Sequence, residues 1–150
     1  MKLKVYKVRE NAKLPRREHA TDAGADVFYC PERLTKPMTI NQNESVLIPT
    51  GLKVGVPEGY MLEIKNKSGV AYKRSLVVGA CVVDSGYNGE IFVNLHNIGT
   101  EPRTIKPGEK VAQAVLVPVV PAFFEQIEED SVYDKTTDRG SGALGSTGTF

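Results

Sequence analysis

The chain has 150 residues, which is enough for one hydrophobic core and too few for two ordinary domains. Hydrophobic residues make up 41% of it and charged residues 25%, as in a typical globular domain. Its 19 Lys and Arg residues nearly balance 18 Asp and Glu residues. This balance argues against a protein that binds nucleic acid through a broadly basic surface, because displacing counterions from phosphates needs an excess of positive charge.

The cysteines and the apolar segments indicate a cytoplasmic protein. Cys30 and Cys81 are the two cysteines, and a secreted disulfide scaffold of this size normally has more, so we expect both thiols to be reduced. The first residues form no apolar run of signal-peptide length. The most apolar stretch, residues 115–124, is short and interrupted by two prolines, so the sequence predicts no membrane span.

Short strand-like segments separated by turn residues follow one another along the chain. Residues 52–56 and 60–65 alternate apolar with polar or small side chains, the period of a strand with one buried face. Residues 70–75 are predicted to form one short helix. Strands this frequent predict an all-β sandwich or barrel. The predicted strands are 2–8, 45–48, 52–56, 60–65, 76–83, 90–95, 110–117 and 123–127.

Two segments in the first half carry polar residues suited to a charged ligand. Asp22 and Asp26 lie on either side of Gly24, an arrangement typical of a polar loop with an Asx turn. The same arrangement suits a carboxylate that holds a hard cation such as Mg²⁺, directly or through water. Residues 65–69, Lys-Asn-Lys-Ser-Gly, follow a predicted strand and offer a cation, a hydroxyl and a glycine, although such a segment is more often an ordinary turn.

Residues 82–90, Val-Val-Asp-Ser-Gly-Tyr-Asn-Gly-Glu, predict a β-hairpin, with an apolar strand, a tight turn ending in Asn-Gly and a second strand. The hairpin would place Asp84 and Tyr87 together at its base. Tyr87 is either a site residue or an aromatic that packs on a neighbouring strand. Further along, Gln113 is polar within an apolar run, so it either satisfies a backbone group or faces a ligand.

The C-terminal residues differ in character from the rest. We expect a domain of residues 1–135 and a flexible C-terminal arm of residues 136–150, which is mainly Gly, Ser and Thr. Such a segment buries too little apolar surface to order itself, and it is either a disordered end or an arm that wraps an anionic ligand. In the second case Arg139, the glycine N–H groups and the hydroxyls of Ser146 and Thr147 would bind phosphate oxygens.

In order and spacing, these segments resemble the five motifs of the trimeric dUTPase family. The motifs are matched in turn by residues 22–27, 67–69, 83–90, 108–113 and 139–148. The resemblance implies an all-β, jelly-roll-like subunit that hydrolyses dUTP to dUMP and pyrophosphate with Mg²⁺ as cofactor. It also implies a homotrimer with three active sites, each built from all three chains, in which the C-terminal arm of one chain closes over a site formed by the others.

The resemblance implies a role for each site residue. Asp84 would orient and activate the water that attacks the α-phosphorus, and Asp26 would hold Mg²⁺ through water. Tyr87 would pack on the deoxyribose and exclude a 2′-hydroxyl, while the main chain of Val82 and Val83 would read the uracil edge. The residues implied to contact phosphates are Lys67, Ser68, Gly69, Gln113, Arg139, Ser146 and Thr147.

Three features depart from the family pattern. Lys67 stands where the second motif usually has arginine, and it keeps the charge without the bidentate fork. Leu144 takes the place of the aromatic that lies over the uracil in the fifth motif, and Phe150 is a candidate substitute. Residues 77–81 contain no asparagine, although the family places one there near the pyrimidine. The last two departures, Leu144 and the missing asparagine, bear on base selectivity.

Two other functions remain open from the sequence. A dCTP deaminase, or a bifunctional relative of the same fold, would need a glutamate at the pyrimidine amino group, with Glu63 and Glu90 as the candidates. A non-catalytic regulator would bind a nucleotide or a protein without turnover. Asp84 argues against the regulator, because an acid beside the α-phosphate repels a bound anion and brings a pure binding protein no advantage.

Overall fold

The computed structural model describes residues 1–33 and 35–149. It contains two compact units, one from Met1 to Val120 and one that begins at Pro121. Leu34 and Phe150 lie outside the described residues, and with Phe150 lies the candidate substitute for the missing aromatic.

The first unit contains one α-helix and all the strands found in the described part of the chain. The helix, α1 (Ser68–Arg74), ends at Ser75, whose left-handed backbone and N–H bond to the Val70 carbonyl close the last turn. The strands are β1 (Lys4–Lys7), β2 (Ala25–Phe28), β3 (Met38–Ile40), β4 (Ser45–Pro49), β5 (Leu52–Gly55), β6 (Tyr60–Lys65), β7 (Leu76–Val78), β8 (Val82–Val83), β9 (Phe92–Asn97), β10 (Arg103–Ile105) and β11 (Lys110–Pro118).

The strands pair antiparallel in four sheets. The order β2-β11-β6-β8 forms a four-stranded sheet and β4-β9-β7 a three-stranded one, while β1 pairs with β5 and β10 with β3. Most neighbours in these sheets are distant in sequence, as in jelly rolls, where the chain crosses repeatedly from one sheet to another. The prediction of an all-β, jelly-roll-like fold with one short helix is therefore confirmed.

One cluster of buried apolar side chains joins strands of all four sheets to the helix. On β9 the burial alternates, with Val93 and Leu95 fully buried between more exposed residues, which is the period of a strand with one face inward. Ile40, Ile48 and Ile105 are equally inaccessible to solvent. Burying each such side chain stabilises the fold by about 1.5–3 kcal/mol, and the cluster fixes the strands that hold the polar residues described below.

Several predicted elements differ from the observed ones. The strand predicted at 123–127 is wrong, because this stretch pairs with no described strand and Phe123 and Phe124 are fully exposed. The strand predicted at 76–83 is divided into β7 and β8 by residues 79–81. The sequence analysis missed β2, β3 and β10, whose three or four residues are too few for a clear period.

The β-hairpin predicted at residues 82–90 is also wrong. β8 pairs with β6, whereas β9 pairs with β4 and β7 in a different sheet. The turn itself is present, because the N–H of Tyr87 donates to the Asp84 carbonyl at 3.3 Å. Residues 84–91 therefore form a loop that carries the chain from one sheet to the next, and we call it the Asp84 loop.

The second unit consists of turns and a short 3₁₀ helix, Glu129–Ser131. Positive φ angles at Gly140, Gly145 and Gly148 allow turns to follow one another closely near its end. Across the described residues of both units, no helix has the length and apolar character needed to cross a membrane.

Candidate active site

Asp26 lies within β2, in the four-stranded sheet. The interpretation as a polar loop holds only for Asp22, whose exposed carboxylate accepts the His19 N–H at 2.9 Å in a turn. Asp26 sits opposite Gln113 in the β2–β11 register and exchanges main-chain hydrogen bonds with Arg16. Only 5% of the residue is exposed, so its charge needs partners inside the protein.

Two lysines supply those partners. Lys67 contacts Oδ1 of Asp26, and Nζ of Lys110 lies 2.8 Å from Oδ2. Burial by itself raises the pKa of the Asp26 carboxyl, but hydrogen bonds from Lys110 and Lys67 outweigh it and hold the pKa below its usual value. The hydrogen bonds from Lys110 to Asp26 and Glu18 in turn raise the lysine's own pKa. The carboxylate is therefore ionised and neutralised by contact with two ammonium groups.

Gln113 is partly exposed, and its side-chain amide satisfies a backbone group, as one of its two interpretations expects. Its amide nitrogen donates to the Asn66 carbonyl at 2.9 Å. A Cβ at Gly24 would overlap the Gln113 side-chain amide, so the glycine of the first motif leaves room for the glutamine of the fourth. We call Asp26, Lys67, Lys110 and Gln113 the Asp26 cluster.

The second motif borders this cluster at the start of α1. Lys67 is the N-cap residue, and Ser68 and Gly69 are exposed in the first turn. A Cβ built at Gly69 would meet no described atom within 4 Å. The serine hydroxyl and the glycine backbone thus face open space beside the positive charge of Lys67, which is suitable for an anionic ligand.

The donor set around Asp26 does not form a ready-made metal cage. Among the described residues, no group of three or more His, Cys, Asp or Glu side chains is placed to hold a metal ion. Magnesium, however, usually keeps several waters and binds through one or two carboxylates together with substrate phosphates. Asp26 offers one carboxylate of this kind, but Lys67 and Lys110 contact its two oxygens. A hydrated ion would therefore bind there only together with a phosphate that draws the lysines to itself.

A second constellation surrounds Asp84. The residue follows β8 directly and is exposed. It lines a cleft of about 250 Å³ together with β8, Leu47, Tyr87 and Phe92, which we call the Asp84 cleft. Three of the side chains that face it, those of Leu47, Val82 and Phe92, are large, apolar and partly exposed. An acid at the edge of an apolar cleft is the arrangement expected for a group that acts on a bound organic molecule.

Tyr87 is held by its own loop while facing this cleft. Its hydroxyl donates to the Glu90 carbonyl at 2.9 Å, and its ring lies against Gly89, where a Cβ would overlap the hydroxyl. About half of the residue remains exposed. Packing within the loop and exposure to the cleft are thus compatible, because the loop fixes the ring and leaves one side accessible.

β8 is an edge strand, with β6 as its neighbour in the four-stranded sheet. Val82 and Val83 pair with Glu63 and Leu62, and the other side of β8 is the free edge of that sheet. Main-chain N–H and C=O groups at such an edge are available to a planar ligand that offers matching donors and acceptors.

The cleft has a polar support that the sequence analysis missed. The Asn94 side-chain oxygen accepts the Ala80 N–H at 3.0 Å and lies 3.0 Å from Nε2 of His96. A Cβ at Gly79 would overlap both side chains. Asn94 of β9 therefore fixes residues 79–81. These residues lie in the segment where the family pattern places an asparagine. The sequence signal for this support is the alternation of the polar Asn94 and His96 with buried residues along β9.

The two glutamates considered for a deaminase are both held in ion pairs, although Glu90 is among the residues that line the Asp84 cleft. The Glu90 carboxylate accepts hydrogen bonds from Arg9 and from the Gly51 N–H, at 2.8 Å for the latter. Glu63 lies 3.0 Å from Nζ of Lys65. Glu90 is thus charge-paired and largely withdrawn from solvent, which does not suit a group that must exchange protons with a substrate.

The predicted residues of the C-terminal arm lie in the second unit. Nε of Arg139 donates to the Gly142 carbonyl at 3.0 Å, and the Ser146 N–H to the Ala143 carbonyl at 2.9 Å. Leu144 is fully exposed, and Ser146 and Thr147 are exposed as well. The structure places these four residues in successive turns.

The Asp84 cleft and the Asp26 cluster remain separate groups in the single chain. None of the four residues of the Asp26 cluster is among those that line the Asp84 cleft. The chain therefore brings together the first, second and fourth motifs in one place and the third motif in another.

Comparison with known proteins identifies the family. The dUTPase family model matches residues 10–148. A deoxyuridine 5′-triphosphate nucleotidohydrolase of Paraburkholderia phymatum is 37% identical over 149 residues, covering 97% of this chain and 96% of the relative.

Solved structures agree. A variant of the dUTPase of Staphylococcus bacteriophage 80alpha with dUpNHpp has a TM-score of 0.85 at 28% identity, covering 98% of both chains. A variant dUTPase of the S. aureus phage phi11, described with a structural Mg(II) ion, has a TM-score of 0.76 at 29% identity, covering 86% of this chain and 98% of the other. The chain belongs to the dUTPase family.

Proposed function

We propose that the protein hydrolyses dUTP to dUMP and pyrophosphate, which limits the incorporation of uracil into DNA and supplies dUMP. The observation that carries the proposal is the exposed Asp84 carboxylate at the edge of an apolar cleft, beside the free edge of β8. The match of the dUTPase model to almost the whole chain supports the same function.

Asp84 is the proposed catalytic residue. A carboxylate is a weak base for water, so its contribution comes mainly from position: it holds the nucleophile in line with the leaving pyrophosphate. Its exposure leaves the carboxylate oxygens accessible to a water molecule and a phosphate.

The Asp84 cleft is the proposed nucleoside site. The free edge of β8 at Val82 and Val83 would pair with the uracil edge, and cytosine would be rejected because its reversed donors and acceptors leave buried groups unpaired. Tyr87, fixed by its bond to Glu90, would pack against the deoxyribose and leave no room for a 2′-hydroxyl.

The Asp26 cluster and the adjoining turn are the proposed phosphate site. A triphosphate carries about four negative charges, so its transition state requires nearby cations and N–H donors. Lys67, Ser68, Gly69 and Gln113 would supply them from one chain. Arg139, Ser146 and Thr147 would supply them from the C-terminal arm, residues 136–150, with Leu144 as an aliphatic cover over the base.

We also propose Mg²⁺ as the cofactor, held by Asp26 through water. When bound, the ion would offset the charge of the triphosphate and help to orient it. The free thiols of Cys30 and Cys81 further support a cytoplasmic location.

The separation of the Asp84 cleft from the Asp26 cluster supports a homotrimer in which different copies complete each active site. A closed ring of three copies can bring the third motif of one copy to the first, second and fourth motifs of its neighbour. Sedimentation equilibrium would give the mass of three chains. A monomer that is fully active would contradict this assembly.

Pyrophosphate release from dUTP, dCTP, dTTP and UTP, measured in parallel with Mg²⁺, tests the proposed function. We expect a strong preference for dUTP, and loss of turnover when EDTA removes the metal. Release of ammonia from dCTP would indicate a deaminase instead, and tight binding of dUTP without turnover would indicate a regulator.

A further inference from the structure

The Asp84 loop is anchored by a largely buried ion pair between Glu90, which lines the Asp84 cleft, and Arg9, which does not. Both guanidinium NH groups of Arg9 donate to the Glu90 carboxylate, and the Gly51 N–H donates to the same carboxylate at 2.8 Å. The side chains of Arg9 and Glu90 are only 16% and 14% exposed. A bidentate pair with a third donor fixes both position and orientation more firmly than a single contact.

Glu90 connects this ion pair to Tyr87. Its side chain is held by Arg9 and Gly51, while its main-chain carbonyl accepts the Tyr87 hydroxyl at 2.9 Å. Gly89, between the two, leaves room for the tyrosine ring. Any displacement of Glu90 therefore displaces the acceptor that positions the hydroxyl of Tyr87.

Main-chain hydrogen bonds complete the anchor. The Ile91 N–H donates to the Leu52 carbonyl at 2.8 Å, and the buried Thr50 hydroxyl donates to the Ile91 carbonyl at 2.7 Å. The Val8 N–H donates to the Gly51 carbonyl at 2.7 Å. Residues 8–9, 50–52 and 90–91 thus form one hydrogen-bonded group, whose only side-chain ion pair within the described residues is that of Arg9 and Glu90.

We propose that Arg9 is a positioning residue for the exclusion of ribonucleotides, acting through Glu90 and Tyr87. This inference rests on the proposed function, because it assigns the sugar contact to Tyr87. Arg9 does not line the Asp84 cleft, and it precedes the part of the chain that the family model matches. It acts on the nucleoside only through the loop.

The ion pair also has a structural role, which the experiment must separate from positioning. Removing one partner of a buried pair leaves the other charge uncompensated and destabilises the fold, whereas removing both charges is far less damaging. Arg9→Met alone therefore lowers stability and loosens the loop. Arg9→Met combined with Glu90→Gln removes the buried charge, and should recover much of the stability, but it still lacks the bidentate anchor.

The test measures kcat/KM for dUTP and for UTP in the parent protein and four variants. The variants are Arg9→Met, Arg9→Lys, the Arg9→Met/Glu90→Gln double variant and, as a control at an exposed arginine, Arg33→Met. Melting temperatures and the relative binding of dUMP and UMP are measured alongside. We expect the preference for dUTP over UTP to fall about tenfold in Arg9→Met and in the double variant, mostly through a lower KM for UTP, with kcat for dUTP changed little. Arg9→Lys should retain an intermediate preference, and Arg33→Met the full one.

A double variant that regains both its melting temperature and the full preference for the deoxynucleotide would show that Arg9 is only structural. Unchanged discrimination in a folded Arg9→Met variant would equally overturn the proposal. A parent protein that turns over no dUTP contradicts the proposed function instead; the ratio of dUMP to UMP binding then still decides the role of Arg9.

Discussion

Asp26 and Asp84 are two carboxylates of one chain placed in opposite environments. Asp26 is buried within β2, at the edge of the four-stranded sheet opposite β8, and neutralised by Lys67 and Lys110. Asp84 is exposed at the end of an edge strand and, within the described residues, forms no ion pair. In the proposed function these two environments would separate two tasks: Asp26 would meet the metal–phosphate complex, and Asp84 would orient water.

The largest expected effect comes from Asp84. Asp84→Asn should lower turnover of dUTP by about 10²–10⁴-fold, because the amide replaces the charged acceptor that orients the attacking water and takes its proton. Nucleotide binding should persist, and the free energy of unfolding should change by about 0.5 kcal/mol or less, as for other exposed positions. Glu58→Gln, a substitution of an exposed acid in the turn before β6, is the control. Equal turnover in Asp84→Asn and the parent would remove Asp84 from the chemistry.

Truncation after Asp138 tests whether the phosphate site needs the C-terminal arm in addition to the Asp26 cluster. Removing Arg139 and the residues beyond it should lower turnover about 10²-fold, since the triphosphate loses cations and N–H donors that orient it. The melting temperature should stay nearly constant, because the described arm residues are mostly exposed. A large fall in melting temperature would show that the segment is a packed structural element.

Asp26→Asn should affect both catalysis and stability, in contrast to Asp84→Asn. Turnover should fall about 10–100-fold at limiting Mg²⁺, as for other changes near a metal. The free energy of unfolding should fall by about 1–2 kcal/mol, because two partly solvated lysines lose their shared anion. Asp22→Asn changes the exposed acid of the same motif and serves as control. A fully stable, fully active Asp26→Asn variant would contradict the assignment.

The smallest expected effect concerns base selectivity. Asn94→Ala removes the acceptor of the Ala80 N–H and should loosen residues 79–81 beside the cleft. We expect the preference for dUTP over dCTP to fall about threefold to tenfold. Ser45→Ala deletes a neighbouring hydroxyl that bonds Asn94 but not Ala80, so its effect should be smaller. Selectivity unaffected by Asn94→Ala would show that the segment is held by other contacts.

The sequence predicted most of the fold because apolar and polar side chains alternate clearly along the longer strands. Residues 60–65 match β6, and 110–117 match all but the last residue of β11. Short strands such as β2 carry too few residues for a period, so Asp26 was expected in a loop. Apolar residues at 123–127 predicted a strand, but they pair with no described strand.

The site was harder to predict, because its contacts join residues distant in sequence. Spacing identified Asp84 and Tyr87, and the turn between them exists, but the hairpin does not, since β8 and β9 pair in different sheets. The link between Lys110 and Asp26 follows from the register of β11 on β2, which spacing does not reveal. The support of Ala80 by Asn94 and of Glu90 by Arg9 likewise depends on tertiary structure.

Complementation between two inactive chains tests most directly whether each active site is shared between copies. Asp84→Asn and Asp26→Asn subunits carrying different tags are co-expressed, and the mixed oligomers are purified and assayed for pyrophosphate release from dUTP. If the Asp84 cleft and the Asp26 cluster of each active site come from different copies of a homotrimer, each mixed trimer has one intact site in three. The purified mixed oligomers should therefore regain about one third of the parent activity. Mixed oligomers that stay as inactive as either variant alone would contradict the shared site.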